Sequence, residues 1–112
     1  MLKEKQYIFI AQSLLHTSEC KIDIANDLDG RLKGLNNTEG KSPKDTYRYI
    51  FICEVQDMIA MINDLIEDFF IYRMQKKEEL YLLNEDLFKI YIEEINSHPL
   101  FEEAIFIKKK IF

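Results

Sequence analysis

Apolar residues recur along the first third of the chain at a spacing typical of amphipathic helices. Ile8, Leu15 and Ile22 are seven residues apart, which places them on one side of a 3.6-residue helix. A second row, three residues further on, contains only small side chains and would let a neighbouring helix approach closely. The pattern predicts a first helix over about 2–32, followed by a polar loop over 33–42.

The middle of the chain carries the widest apolar pattern. Ser42 and Pro43 suit the N-cap and first position of a helix, and the acidic Asp45 follows in the first turn. From there a helix over 43–74 is predicted, with apolar residues at alternating spacings of four and three. A second apolar row widens its buried arc, so this helix is expected to contact more than one neighbour. That row consists of Ile52, Ile59 and Ile66.

The last part of the chain is harder to interpret. A polar stretch follows that contains no glycine or proline, so either the helix breaks near Gln75, which we favour, or one long helix changes its buried face. Asn84 is a candidate cap for a restarted helix. This third helix is predicted over 78–97, because Pro99 disfavours helix in the residue before it. The remaining 100–112 is predicted as a short helix or a strand, since its Ile-Phe-Ile run is β-prone.

Taken together, these elements predict a single all-α domain over 1–112. The expected architecture is a three- to four-helix bundle with a long central helix, and an intertwined dimer is one form of it. The alternative is an α+β fold with short strands at the termini. With three glycines and two prolines, the chain is poor in the turn residues that an all-β fold needs. The apolar faces look larger than such a bundle can bury, so a homodimer is expected.

Charge narrows the choice of partners. The chain has 20 acidic and 15 basic residues, for a net charge of −5, and phosphate backbones repel such a surface, so nucleic acid is not the expected partner. One edge of the central helix is acidic, and some aromatic side chains fall outside its apolar rows. We interpret these as a surface that binds a basic protein. The predicted partner-binding residues are Glu54, Asp57, Asp64, Asp68, Phe70 and Tyr81.

No motif of a known catalytic, phosphate-binding or metal site is present. His16, Glu19 and Cys20 share a helical spacing that could hold a metal, but no further ligands accompany them. We therefore expect no catalytic residue, no cofactor and no bound metal. The two cysteines do not form a disulfide scaffold. No apolar run is long enough to span a membrane, and no leader pattern is seen, so the cytoplasm is the expected location.

Three functional hypotheses remain open. The first is a non-catalytic interaction module, most concretely a small acidic inhibitor, immunity-type or phage-encoded protein that occludes a basic partner. The second is a nucleic-acid-associated regulator. The third is a helical enzyme with a metal site at His16, Glu19 and Cys20. In the second, phosphates would be contacted by Arg48, Arg73, Lys76 and Lys77.

Overall fold

The computed structural model describes residues 4–37, 46–74 and 80–112. These residues form a five-stranded antiparallel sheet and three α-helices, α1 to α3. The predicted all-α bundle is therefore wrong: this is an α+β protein, and its strands are not confined to the termini. In chain order the elements are β1 Gln6–Ser13, β2 Glu19–Ala25, α1 Leu28–Asn36, β3 Tyr47–Val55, α2 Met58–Asp68, a 3-10 turn Phe70–Tyr72, β4 Leu80–Leu82, α3 Glu85–Ser97 and β5 Phe101–Ile107.

The first strand of the chain lies at the centre of the sheet, whose strand order is β4-β2-β1-β3-β5. Successive side chains of a strand point to opposite faces. Ile8 and Ile10 accordingly enter one apolar cluster, while Phe9 and Ala11 enter another. Because both faces of β1 are buried, its sequence is a continuous apolar run without polar alternation.

Helices α2 and α3 pack on one face of the sheet and form the larger core with it. Met61 and Leu65 of α2 and Tyr91 and Ile95 of α3 are buried there against β1, β2 and β3. The opposite face is covered by α1 through its Leu-rich side, which gives a smaller core. That α1 side consists of Leu28, Leu32 and Leu35.

A bulge in β3 adds one residue to the face that carries the larger core. The register with β1 shifts so that Ile10 is opposite Phe51 and Ala11 is opposite Tyr49. Ile50 is the extra residue, and it enters the same cluster as its neighbour Phe51. A bulge of this kind bends the strand and increases its twist.

Two predicted helices are wrong because each spans strands and a helix whose apolar residues continue at helical spacing. The predicted helix 2–32 corresponds to β1, β2 and the beginning of α1. The predicted central helix 43–74 is divided between β3 and α2, with Asp57 as the N-cap of α2. Its proposed cap at Ser42 and Pro43 lies outside the described residues.

The third predicted helix is closer to the structure. α3 begins at Glu85 with Asn84 as its N-cap, and it ends at Ser97. The Asn84 side chain accepts a hydrogen bond from the Leu87 N–H, as expected of a cap. Before it, the chain forms β4 rather than helix, and after it the run to Ile107 is the strand β5. None of the helices in the described parts of the chain is long and apolar enough to cross a bilayer.

Candidate protein-interaction surface

The exposed side of α2 and the turn that follows it form an apolar and acidic surface. Ile59 and Ile66, seven residues apart, lie along one line of the helix, and both are exposed. Phe70 and Ile71 follow α2 in the 3-10 turn, with 63% and 77% of their surface exposed. We call these four residues, together with Asp64, Glu67 and Asp68, the helix surface; the two isoleucines lie along one edge of the exposed side of α2, and Asp64 and Asp68 along the other.

The helix surface is acidic over its own stretch of the chain, and the first basic residue after it is Arg73. From Asp57 to Tyr72 the sequence contains four carboxylates and no basic residue. Asp57 is occupied as the N-cap, because its side chain accepts from the Ala60 N–H at 3.1 Å. Asp68 ends α2 without a basic residue in the last turn, although the negative end of the helix dipole disfavours a carboxylate there.

One carboxylate of the helix surface also joins α2 to α3. The Asp64 Oδ2 lies 2.8 Å from the His98 Nε2, and the Leu100 N–H donates to the His98 Nδ1 at 3.0 Å. Since Nδ1 accepts, the geometry assigns the ring proton to Nε2, which donates to Asp64. The Asp64 side chain is still 60% exposed, so the carboxylate stays accessible.

The structure brings together some of the predicted partner-binding residues and separates others. Asp57, Asp64, Asp68 and Phe70 follow one another along α2 and its turn. Glu54 is on β3, where it forms an ion pair with Lys5 at 3.6 Å. Tyr81 is only 2% exposed and packs in the larger core, so its side chain is not available at the surface.

Sequence reasoning assigned Ile59 and Ile66 to a buried row and did not include Ile71 or Glu67 in the surface. The sequence did carry a signal for the exposed isoleucines, because the apolar arc of this helix is wider than one contact face requires. In the structure, Ile59 and Ile66 are exposed because α2 packs on the sheet through one side only, whereas Ile52, the first residue of that row, belongs to β3 and is buried in the smaller core.

Of the basic residues in the nucleic-acid hypothesis, the structure describes Arg48, on β3, and Arg73, beside β4 at the edge of the sheet. The Nη2 of Arg48 donates to the Gln12 Oε1 at 3.0 Å and to the Ile111 carbonyl oxygen at 3.5 Å. Arg73 is half-buried beside β4, where it forms a bridge with Tyr81. Lys76 and Lys77 lie outside the described residues.

The residues of the metal hypothesis do not share a helical face, because they are in the β1–β2 loop and in β2. Glu19 and Cys20 are consecutive in a strand and therefore point to opposite sides. Cys20 is fully buried, whereas His16 is exposed. Within residues 4–37, 46–74 and 80–112, no group of three His, Cys, Asp or Glu side chains is placed to hold a metal ion.

Neither cysteine is an activated nucleophile. Both are free and buried. Burial raises the pKa of the Cys53 thiol to about 12. Burial, reinforced by the adjacent Glu19 carboxylate, also raises the pKa of Cys20. Because the thiolate is the reactive form, both side chains are inert at neutral pH.

A polar groove of about 480 Å³ lies at one end of the sheet. It contains three glutamates, and the carboxylate of Glu54 is partly neutralised by Lys5. No histidine, cysteine or serine lines it, so it offers no nucleophile with an adjacent base. The lining residues are Glu4, Lys5, Gln6, Glu54, Val55, Gln56 and Glu102.

Comparison with known proteins gives no further guide to function. No family model matches the chain, and the searches of curated proteins and of solved structures return no match either.

Proposed function

We propose that this protein is a non-catalytic interaction module that binds and occludes a basic protein through its helix surface. The observation that carries the proposal is the exposure of Phe70 and Ile71 beside Asp64, Glu67 and Asp68. Large apolar side chains at the end of a helix cost free energy in water, and aromatic side chains are enriched where partners dock. The most concrete form of such a module is a small inhibitor or immunity-type protein.

The carboxylates specify the chemistry of the partner. Opposite charges across an interface steer the encounter and exclude partners of the same sign. With no lysine or arginine between Asp57 and Tyr72, this surface attracts a patch of lysine and arginine side chains. An apolar pocket in that patch would accept Phe70.

The support beneath the helix surface is rigid, which lowers the entropic cost of binding. α2 is held on the sheet by Met61, Ile62 and Leu65, all buried in the larger core. Phe69, between the helix and the turn, is buried against Tyr91 with 4.8 Å between ring centroids. The buried ring of Phe69 therefore holds the adjacent Phe70 in position. The cytoplasm is the proposed compartment, in agreement with the two free thiols.

The test is capture of proteins from a lysate of the native host by immobilised full-length chain. The first variant combines Glu67→Lys and Asp68→Lys, and the second combines Phe70→Ser and Ile71→Ser. The control combines Glu93→Lys and Glu94→Lys, which makes the same change in net charge on the exposed side of α3. Circular dichroism verifies that all variants are folded.

We expect the wild type and the control to capture a basic protein, and both helix-surface variants to lose it. Rising salt should weaken the capture, since exposed charges are screened. The proposal is contradicted if the captured proteins are acidic, if the helix-surface variants capture them as well as the control does, or if nothing is captured.

A further inference from the structure

The strand β5 is exposed on both faces of the sheet edge. It pairs with β3 and is the last strand in the order β4-β2-β1-β3-β5. Three consecutive apolar side chains, Ile105, Phe106 and Ile107, are 51%, 42% and 46% exposed. Long apolar edge strands are templates for pairing with another chain, and folded proteins usually cover or blunt them.

The two edges of the sheet differ. The opposite edge strand, Leu80–Leu82, is short, and two of its residues are buried. A bridge between Arg73 and Tyr81 lies beside it. In the described parts of the chain, β5 has no such cover on the side away from β3.

The backbone of β5 is oriented for outward pairing at Ile107. The Lys108 N–H donates to the Ile50 carbonyl oxygen at 2.8 Å and so points toward β3. Backbone groups of adjacent residues alternate between the two sides of a strand. The N–H and C=O of Ile107 therefore point away from β3, toward solvent.

The charges around β5 are ordered along the chain. Glu102 and Glu103 precede the apolar run, and Lys108, Lys109 and Lys110 follow it. An antiparallel pair of identical strands places the beginning of one opposite the end of the other. The acidic half of each copy would then face the basic half of its partner.

A twofold axis near Phe106 satisfies this arrangement. It brings Phe106 close to its own counterpart and the apolar run of one copy against that of the other. Glu102 and Glu103 then lie near the lysines that follow the end of β5 in the other copy. Parallel pairing of the two strands would instead bring carboxylates against carboxylates and ammonium groups against ammonium groups.

Glu103 provides an independent indication. Within one chain it lies directly opposite Glu54 on β3, and like charges in that position are destabilising. Glu54 is partly neutralised by Lys5, but no basic side chain within the described residues is recorded within ion-pair distance of Glu103. A lysine from a second copy would relieve this repulsion.

Two register shifts in β5, at Glu102 and Ile105, limit the length over which the edge is regular. Bulges and flanking charges discourage open-ended stacking of edges. A twofold pair needs only the short stretch around Phe106, and it uses the free edge of both copies, so assembly stops at two.

We propose that two copies of this chain associate through antiparallel pairing of β5, so that the two sheets become one continuous sheet. The helix surface remains free in the pair, because α2 packs over β1 and β2 and not over the β5 edge. The dimer is thus independent of the proposed binding of a basic protein.

The test uses exchange of charges on the full chain, read by sedimentation equilibrium. Glu103→Lys places a lysine against the lysine-rich end of the other copy at both ends of the pair, and Lys109→Glu places a carboxylate against the acidic end in the same way. Each single variant should raise the dimer dissociation constant about tenfold or more. Inside one chain, Glu103→Lys also removes the repulsion from Glu54, so this variant stays folded.

Mixing the two single variants is the decisive arm. In the mixed pair, the introduced lysine lies near the introduced glutamate at one end, and the native Lys109 lies near the native Glu103 at the other. The heterodimer should therefore form with about the wild-type affinity. Glu93→Lys, on the exposed side of α3, is the matched control and should leave dimerisation unchanged. The proposal is overturned if the wild type is monomeric at millimolar concentration, if the single variants dimerise as the wild type does, or if the mixture remains monomeric.

Discussion

The hydroxyl of Tyr91 offers a direct test of how the larger core is held together. Tyr91 is fully buried in α3 and donates to the Leu82 carbonyl oxygen at 2.6 Å. Its ring packs edge-to-face on Phe69 and Tyr72, with centroid distances of 4.8 and 5.8 Å. Tyr91→Phe keeps this ring and removes the hydrogen bond between α3 and β4. The free energy of unfolding should fall by about 1 kcal/mol at pH 7.

The same substitution should have the opposite effect in alkali. Burial raises the pKa of Tyr91 in the folded protein, with Cys20, Tyr72 and Tyr81 adding to the effect. Above pH 10 the unfolded chain loses this proton while the folded chain keeps it. Wild-type stability then falls with rising pH by about 1.4 kcal/mol per unit for this one group, and Tyr91→Phe lacks that loss. The unfolding free energies of the two proteins should therefore become equal near pH 11, where the stability that the wild type loses through this ionisation matches the contribution of the hydrogen bond.

The measurement is urea unfolding of both proteins between pH 7 and pH 11, followed by circular dichroism. Because the two chains differ only at position 91, the difference in stability isolates the contribution of this side chain. A difference that stays constant across this range would refute the argument, because it would mean that the folded Tyr91 ionises like a free tyrosine. A difference near zero at pH 7 would refute the hydrogen bond.

Three further outcomes follow from the described residues. Gly34→Ala should stabilise the protein by about 0.5–1 kcal/mol in thermal or urea unfolding, because a Cβ there meets nothing within 4 Å. Gly30→Ala is the contrasting variant, since its Cβ would press on the Asp27 carboxylate that caps α1. An equal gain in stability in both variants would contradict this explanation. Asp57→Ala should cost about 1 kcal/mol of unfolding free energy, whereas Asp57→Asn, which keeps the capping oxygen, should cost a few tenths; equal losses would remove the cap from the explanation. Ile10→Ala, at a fully buried position of the central strand, should cost about 2–5 kcal/mol, and a loss below about 1 kcal/mol would show that the core between the sheet and α2 is loosely packed.

How much of this fold the sequence could predict depends on which faces of each element are buried. The helix α3 was predictable because it has one buried side and clear ends: Asn84 caps its beginning, and Pro99 follows its last turn. The N-terminal strand was not, because β1 is buried on both faces. A run such as Tyr7–Ala11 has no alternation, and apolar periodicity alone does not distinguish it from a buried helix.

The prediction of one central helix was wrong for a different reason. β3 and α2 are separated by Gln56 and Asp57 alone, so apolar rows with helical spacing pass through the junction without interruption. Two signals favoured the observed structure: aromatic and β-branched residues dominate Tyr47–Val55, and Asp57 is a good N-cap. Part of the acidic stripe was found because α2 is a real helix, whereas Glu54 and Tyr81 were misplaced because they belong to strands.

The strand order has a consequence for the chain as it is synthesised. All residues of the core under α1 lie between Tyr7 and Ile52, so the three central strands and α1 can associate before the remainder of the chain leaves the ribosome. At that stage both outer edges of the nascent sheet are open, since β4 and β5 have yet to arrive. Unpaired edges of this kind are the sites at which partly made chains aggregate. The C-terminal half of the chain therefore supplies both strands that close the edges of the sheet, and a truncated product that lacks it would keep both edges open.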